Sequence, residues 1–313
     1  MKILFISLGC DKNLVDTEVM LGMLASRGYE MTNDEQEADI IVINTCCFIH
    51  DAKEESIQNI LEMAEYKKNG SAKALIVTGC MAERYRQEIL DEIPEVDEVL
   101  GTTAYDRILD AVDAALAGQH EVMTADLDAL PLPETKRLVT TGGHFAYLKI
   151  AEGCDNRCSF CAIPLIRGGF RSRRMEDILE EARGLAASGV KELNLVAQDT
   201  TRYGQDLYGE YSLDKLLTEL CKIDGFHWIR VLYGYPDRVT DSLLEVMAEF
   251  GCKRLVFSSS ATERSTTGCP PTKRVGRVHT CINKLRRTEI RRLFSPATDQ
   301  ISRNPSCWAK DSQ

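Results

Sequence analysis

Three cysteines in the stretch Ala151-Glu152-Gly153-Cys154-Asp155-Asn156-Arg157-Cys158-Ser159-Phe160-Cys161 carry the most legible chemistry of this chain. Their C-x3-C-x2-C spacing comes directly after an apolar, strand-like run at residues 145–150. Cysteine thiolates hold iron–sulfur clusters, and a four-iron cluster held by only three of them keeps one iron free of protein ligands. An open metal position is a place for chemistry, whereas a closed one is structural. The competing reading is a zinc knuckle. That requires a fourth Cys or His at short spacing, and the next histidine after Cys161 is His227.

A second set is spread through the first hundred residues. Cys10, Cys46 and Cys80 lie 36 and 34 residues apart, each just past the carboxyl end of an expected strand. In an open parallel sheet all carboxyl ends share one edge, which is where ligands bind. Three thiols distant in sequence therefore converge. The alternative is that Cys is simply a common buried residue in such strands.

The elements that must position these thiols follow from the hydrophobic pattern. Residues 2–8, 39–44, 73–78 and 96–100 are near-continuous apolar runs, separated by helical spacing at 15–27, 52–67 and 82–92 and followed by a helix at 105–116. Such runs between helices predict a parallel sheet covered on both faces. Residues 118–143, punctuated by Gly118, Pro131, Pro133, Gly142 and Gly143, read as a linker. From His144 onward, strands at 145–150, 192–197 and 228–233 alternate with helices at 175–188, 213–221 and 241–250. That is a βα repeat of the barrel kind, with its active site on the loops after the strands. The expected fold class is α/β: a parallel-sheet domain at 1–118, a linker at 119–143 and a partial (β/α) barrel at 144–252. Residues 253–313 form a tail of different character.

At these residues the chain resembles a known family. C-x3-C-x-aromatic-C, with Phe160 as the aromatic, is similar to the signature of radical S-adenosylmethionine (SAM) enzymes. Lys149 to Gly153, Ala162-Ile163-Pro164-Leu165-Ile166-Arg167-Gly168 and Arg171-Ser172-Arg173 resemble the methylthiotransferases among them. Gly9-Cys10-Asp11-Lys12-Asn13-Leu14-Val15-Asp16-Thr17-Glu18, Asn44-Thr45-Cys46 through Glu55-Ser56, and Thr78-Gly79-Cys80-Met81-Ala82-Glu83-Arg84-Tyr85 look like the three blocks of that family's N-terminal domain. The wording of the first block resembles the RimO-like branch, which modifies an aspartate of small-subunit ribosomal protein twelve, more than the branch acting on tRNA. The resemblance spans residues 1 to about 250.

The resemblance implies two [4Fe-4S] clusters and SAM. Cys154, Cys158 and Cys161 would hold the cluster that cleaves SAM to a 5′-deoxyadenosyl radical. Cys10, Cys46 and Cys80 would hold an auxiliary cluster involved in sulfur delivery, with Cys47 matching no ligand position. One SAM would supply a methyl group and another the radical. The implied partners are the ribosomal protein, an electron donor such as flavodoxin or ferredoxin, and a sulfur source. Phe160, Arg167, Arg171 and Gln198 are the candidates for contact with SAM. Guanidinium suits a carboxylate, either of SAM or of an acidic substrate side chain. The alternative for Arg167, Arg171, Arg173 and Arg174 is a solvated basic turn, and for Gln198-Asp199-Thr200 and Tyr233-Gly234-Tyr235-Pro236 an ordinary polar rim.

Composition bounds the remainder. In 313 residues, 44% hydrophobic and 27% charged, the twelve cysteines are too sparse for a disulfide scaffold. A reducing cytoplasm with metal-bound thiolates fits better. No apolar run approaches the ~18 residues of a membrane span, and residues 1–6 read as a first strand, not a signal peptide. The net charge of −10 hides −19 over residues 1–252 and +9 over 253–313. An acidic body disfavours stable nucleic-acid binding and suits a basic protein partner. The tail is dense in Ser, Thr, Lys and Arg, and shows no strand pattern after residues 255–257. It reads as disordered, from an altered frame or truncation, or as a basic RNA-binding arm. Two other functions stay open: a tRNA adenosine methylthiotransferase, and a truncated product that binds clusters without turnover.

Overall fold

The computed structural model describes residues 1–129, 137–159, 161–250 and 255–257. Phe160 and most of the tail, 258–313 included, lie outside the described residues.

The first 142 residues contain strands β1 (Lys2–Ser7), β2 (Glu30–Thr32), β3 (Ile40–Thr45), β4 (Ala74–Gly79), β5 (Glu98–Leu100) and β6 (Glu121–Met123). Helices α1 (Asp11–Ser26), α2 (His50–Asn69), α3 (Cys80–Tyr85), α4 (Gln87–Glu92) and α5 (Ile108–Leu116) connect them. After residue 143 come β7 (Phe145–Lys149), β8 (Ala151–Glu152), α6 (Ile163–Arg167), β9 (Arg171–Ser172), α7 (Met175–Ala187) and β10 (Glu192–Val196). They are followed by α8 (Gln205–Tyr208), α9 (Leu213–Cys221), β11 (Trp228–Val231), α10 (Asp241–Phe250) and β12 (Leu255–Phe257).

Two compact units result: Met1–Gly142 with Ala151–Asp177, and Gly143–Ile150 with the residues from Ile178 on. In the first unit, six strands form one parallel sheet in the order β2-β1-β3-β4-β5-β6. Successive side chains of a strand face opposite ways, so two cores form. Ile41, Ile43, Leu75 and Val77 pack with Ile60 and Met63 of α2 on one face. Ile40, Val42, Ala74 and Ile76 pack with Met20 and Leu24 of α1 and Ile108 and Val112 of α5 on the other. Every residue of β3 and β4 is buried, which is why both read as unbroken apolar runs.

Two strands of the first sheet escaped the sequence reading, as did the short pair β8 and β9. β2 and β6 are three residues each, begin with glutamate and flank the sheet, so neither shows a usable period. β6 lies within the stretch read as linker and pairs with β5. The single helix expected at 82–92 is broken into α3 and α4 at Arg86, whose φ is 42°.

In the second unit the order is β12-β11-β10-β7, all parallel, each strand beside its neighbour in sequence. This single winding differs from the reversal in the first sheet and is the order of a barrel segment. The described strands number four and do not close on themselves. The buried stripes of α7 (Ile178, Ala182, Leu185), α9 (Leu213, Leu216, Leu217, Leu220) and α10 (Leu243, Leu244, Met247) recur at helical spacing.

Candidate functional site: two cysteine sets

The first sheet reverses its winding between β1 and β3, and the crevice at the carboxyl ends there is the place where open α/β sheets bind ligands. All three candidate cysteines are on that edge. Cys10 occupies the N-cap position of α1, Cys46 follows β3, and Cys80 opens α3 immediately after β4. Cys46 and Cys80 are buried while Cys10 is exposed.

Glycine and serine bring them close. Gly9, at φ +94°, lies so near Cys46 that an added Cβ would stand 2.8 Å from the Cys46 Cβ and 3.1 Å from its Sγ. Ser56 Oγ accepts the Cys46 amide at 3.0 Å and donates back to the carbonyl of Cys46 or Ala52, each at 2.8 Å. Asn13, wholly buried, donates its amide to the carbonyls of Leu8 at 3.1 Å and Thr45 at 2.9 Å. These bonds tie the loop carrying Cys10 to the loop carrying Cys46. The thiol of Cys80 approaches Asn13 Oδ1 at 3.6 Å.

The thiols feel one another. A hydrogen bond from Cys80 draws the Cys46 pKa down to about 7 in spite of its burial, and the same bond and burial push Cys80 well up. Cys46 is thus the thiolate-prone member of the pair. Cys47, next in sequence, differs: burial pushes its thiol up to about 11, and it donates to the Cys80 carbonyl at 3.2 Å.

The second set lies on the hairpin between β8 and β9, which are paired antiparallel. Gly153, at φ +72°, packs so tightly that a Cβ would fall 1.9 Å from the Gly169 carbonyl oxygen. The Cys154 amide donates to Gly168 O at 3.1 Å and the Cys161 amide to Cys158 O at 3.0 Å. Asp155 caps the returning strand by accepting the Phe170 amide at 3.0 Å. Burial raises the pKa of both Cys154 and Cys161, with the negative charge of Cys158 adding to each.

Among the described residues, no three His, Cys, Asp or Glu side chains close around a single metal ion. A four-iron cluster asks for something different, since its thiolates are spread round a body of eight atoms. Three thiols on one edge, two of them buried and hydrogen-bonded to each other, fit that donor set. So do three on a tight, glycine-dependent loop.

The remaining candidates are placed as follows. Arg167 is fully buried in the first unit, against Asp16, Glu152, Asn13 and Cys80. Burial opposes its charge, but Glu152, Cys80, Asp16 and Cys10 outweigh that and raise its pKa well above the ordinary value. Arg171 is also buried and donates to the carbonyls of Gly169 at 2.6 Å and Arg167 at 3.1 Å. Neither is a solvated basic turn, whereas Arg174 is exposed. Gln198 follows β10 in the second unit, half-buried. Its neighbours are structural. Asp199 takes Arg238 and Thr201, and Thr200 Oγ1 donates to Leu232 O at 2.8 Å, stitching the loops after β10 and β11. Asn13 and Asp16 were quoted in the sequence only as parts of a block; their burial on α1 in a site with Arg167 was not anticipated.

Comparison with known proteins gives these sites a context. Residues 2–101 match the model of uncharacterized protein family UPF0004, and residues 148–293 that of the radical SAM superfamily. The ribosomal protein uS12 methylthiotransferase RimO of Lachnoclostridium phytofermentans is 61% identical over 247 residues, covering 79% of this chain and 56% of that protein. Proteins of the same name from Desulforamulus reducens and Clostridioides difficile are 54% and 50% identical over 245 and 251 residues, 55% and 56% of their lengths. The chain therefore spans about half the length of the relatives it matches. Among solved structures, the radical SAM methyltransferase TsrM from Kitasatospora setae, with cobalamin and a [4Fe-4S] cluster bound, superimposes with a TM-score of 0.58 at 12% identity, over 92% of this chain and 67% of that one. The cobalamin-dependent radical enzyme OxsB gives 0.52 at 13%, over 82% and 43%. At such identities the likeness is one of fold.

Proposed function

We propose, from the premise that this chain belongs over its first 250 or so residues to the RimO-like radical SAM methylthiotransferases, that it takes part in adding a methylthio group to an aspartate side chain of ribosomal protein uS12. The observation that carries the reading is the presence of two separate cysteine triads, one on a sheet edge and one on a glycine-dependent hairpin.

In this reading Cys154, Cys158 and Cys161 hold a [4Fe-4S] cluster with one iron left for SAM, and Cys10, Cys46 and Cys80 hold a second. When bound, the clusters and SAM supply one-electron cleavage of SAM and a site for the sulfur that is transferred. The chain's own part is to hold and shield them. Asn13 and Ser56 fix the Cys10 and Cys46 loops, and burial of Cys46, Cys80 and Cys154 excludes water from the thiolates. Phe160 and Gln198 remain candidates for SAM. An electron donor of the flavodoxin or ferredoxin class and a sulfur source complete the partners. The −19 charge of residues 1–252 favours a basic ribosomal protein over nucleic acid. No helix among the described residues is long and apolar enough to cross a membrane.

The test is anaerobic iron and sulfide content of the full chain and of its Cys154/Cys158/Cys161→Ala variant, followed by mass analysis of uS12 and of tRNA after incubation with SAM, reductant and sulfide. About eight irons falling to about four, with the methylthio mass on uS12, is the expected result. Zinc in place of iron would overturn the reading. The mass on tRNA adenosine would move the substrate to the nucleic-acid branch, and SAM cleavage without transfer would leave a cluster-binding chain that turns nothing over.

A further inference from the structure

Arg167 ends α6, in the segment that follows the second cysteine set, yet its guanidinium lies among residues of the first. Nη1 is 3.0 Å from Asp16 Oδ2 and 2.9 Å from Glu152 Oε2. Nη2 donates to Asn13 Oδ1 and stands 3.8 Å from Cys80 Sγ. The side chain is 2% exposed. Asp16 and Asn13 are on α1 beside Cys10, whereas Glu152 is two residues before Cys154. One buried cation therefore joins both cysteine segments.

Two buried carboxylates, Asp16 and Glu152, face the Arg167 guanidinium, and Glu152 also faces the charge of Arg171. Lys12, a buried cation on α1, is paired with Asp11 at 3.0 Å. Arg167 lies against the sulfur of Cys80, while Lys12 faces the charge of Cys10.

We infer that Arg167 is the positioning residue of the N-terminal cluster site: its guanidinium holds Cys80 in register with the Cys154 hairpin, and its charge sets the reduction potential of iron bound there. This rests on the proposed function, in that it takes Cys10, Cys46 and Cys80 to hold iron. Cluster potentials follow net charge, hydrogen bonds to sulfur and exposure. A fixed positive charge beside a ligand sulfur, in a dry interior, stabilises the added electron of the reduced state. The inference also gives Arg167 a different task from binding the carboxylate of SAM, because its fork is already engaged by Asp16 and Glu152.

The experiment uses the full chain carrying Cys154/Cys158/Cys161→Ala, so that iron reports the first set alone, with a redox titration followed by electron paramagnetic resonance. Arg167→Gln moves the midpoint to more negative potential, Arg167→Lys restores most of that shift, and Glu152→Gln, which removes a negative charge from the same guanidinium, moves it the opposite way. A merely structural role does not produce shifts of opposite sign. Where Arg167→Gln does not fold, Glu152→Gln alone decides: a positive shift supports the inference and an unchanged midpoint overturns it. An unchanged midpoint in a folded, iron-loaded Arg167→Gln variant overturns it as well. In the chain with all cysteines present, so does loss of the SAM-induced spectral change at the second cluster without any effect on the first. A parent variant that holds no iron would instead sink the proposed function, leaving the two failures distinct.

Discussion

Asn13 and Asn44 interlock behind the cysteine edge: Asn44 Nδ2 donates to the Asn13 carbonyl at 2.9 Å, and Asn13 Nδ2 donates to the carbonyl of Thr45, the residue after Asn44, at 2.9 Å. Asn44 also donates to Thr17 Oγ1 at 2.9 Å. The pair crosses the point where the first sheet reverses its winding, so the helix after β1 and the end of β3 are fixed to each other by buried amides. Ligand crevices at such points lack regular backbone pairing, and here side-chain amides replace it.

Asn13→Ala removes both donors and an acceptor for Arg167. The carbonyls of Leu8 and Thr45 lose a partner in a buried setting, at a cost of about 3 kcal/mol. The expected outcome is a lower urea midpoint at unchanged slope, together with partial loss of iron from the N-terminal set. Full iron content and an unshifted midpoint would show the amide to be dispensable.

Gly79 precedes Cys80 at φ +91° and ψ −155°, a region nearly exclusive to glycine. A Cβ there would stand 2.2 Å from Asn44 Oδ1 and 2.6 Å from the Thr45 carbonyl. Gly79→Ala therefore combines strain with a clash against backbone and costs more than about 3 kcal/mol. Gly28 supplies the control: its φ is +89° but nothing lies within 4 Å of its Cβ position. Gly28→Ala costs about 1 kcal/mol from conformation alone. Soluble yield and denaturation midpoints of the two variants measure the difference.

What was legible in the sequence follows from the same physics. β3 and β4 were readable because strands buried on both faces leave unbroken apolar runs such as Ile40-Ile41-Val42-Ile43, and the half-buried β1 shows a shorter run from Ile3 to Ile6. The cysteines were readable because each falls at the end of such a run. β2 and β6 were not, since three residues at a sheet flank carry no period. Arg167 looked like one of four arginines in a basic stretch. Its partner Asp16 lies 151 residues away, a relation that only the tertiary fold creates. A signal was nevertheless present. Asn13 and Asp16, three apart on the apolar face of α1, are polar residues where the helix pattern demands core. A buried carboxylate must find a cation.

Cys47 separates ligand from neighbour. Its thiol is held protonated by burial, with a pKa pushed up to about 11, and it packs in the core while donating to the Cys80 carbonyl. Cys47→Ala should keep the full iron complement and lose about 1 kcal/mol of stability from a small cavity and one weak hydrogen bond. Cys46→Ala should lose about four irons. Iron assays on the two adjacent substitutions check this, and equal losses would place Cys47 among the ligands.

Glu98 gives the first unit a dependence on pH that is separate from the clusters. Its carboxyl is fully buried in β5, and the register sets it opposite Glu121 of β6. Burial raises its pKa to about 7, and the negative charges of Glu121 and Asp97 add to that; Asp97 itself is paired with Lys67 and faces His120 at 3.9 Å. An acid whose folded pKa lies above its unfolded value binds its proton more tightly in the native state, so stability falls as pH rises between the two. The window runs from about pH 4.3, where an unfolded glutamate titrates, to about pH 7, and the loss across it is on the order of 2–3 kcal/mol. Glu98→Gln keeps the neutral shape, and should flatten this slope and stabilise the protein above pH 7. Urea midpoints of the wild type and the variant between pH 5 and 8 test it: converging curves at low pH and a gap widening toward neutrality are expected, and parallel curves would remove Glu98 as the cause.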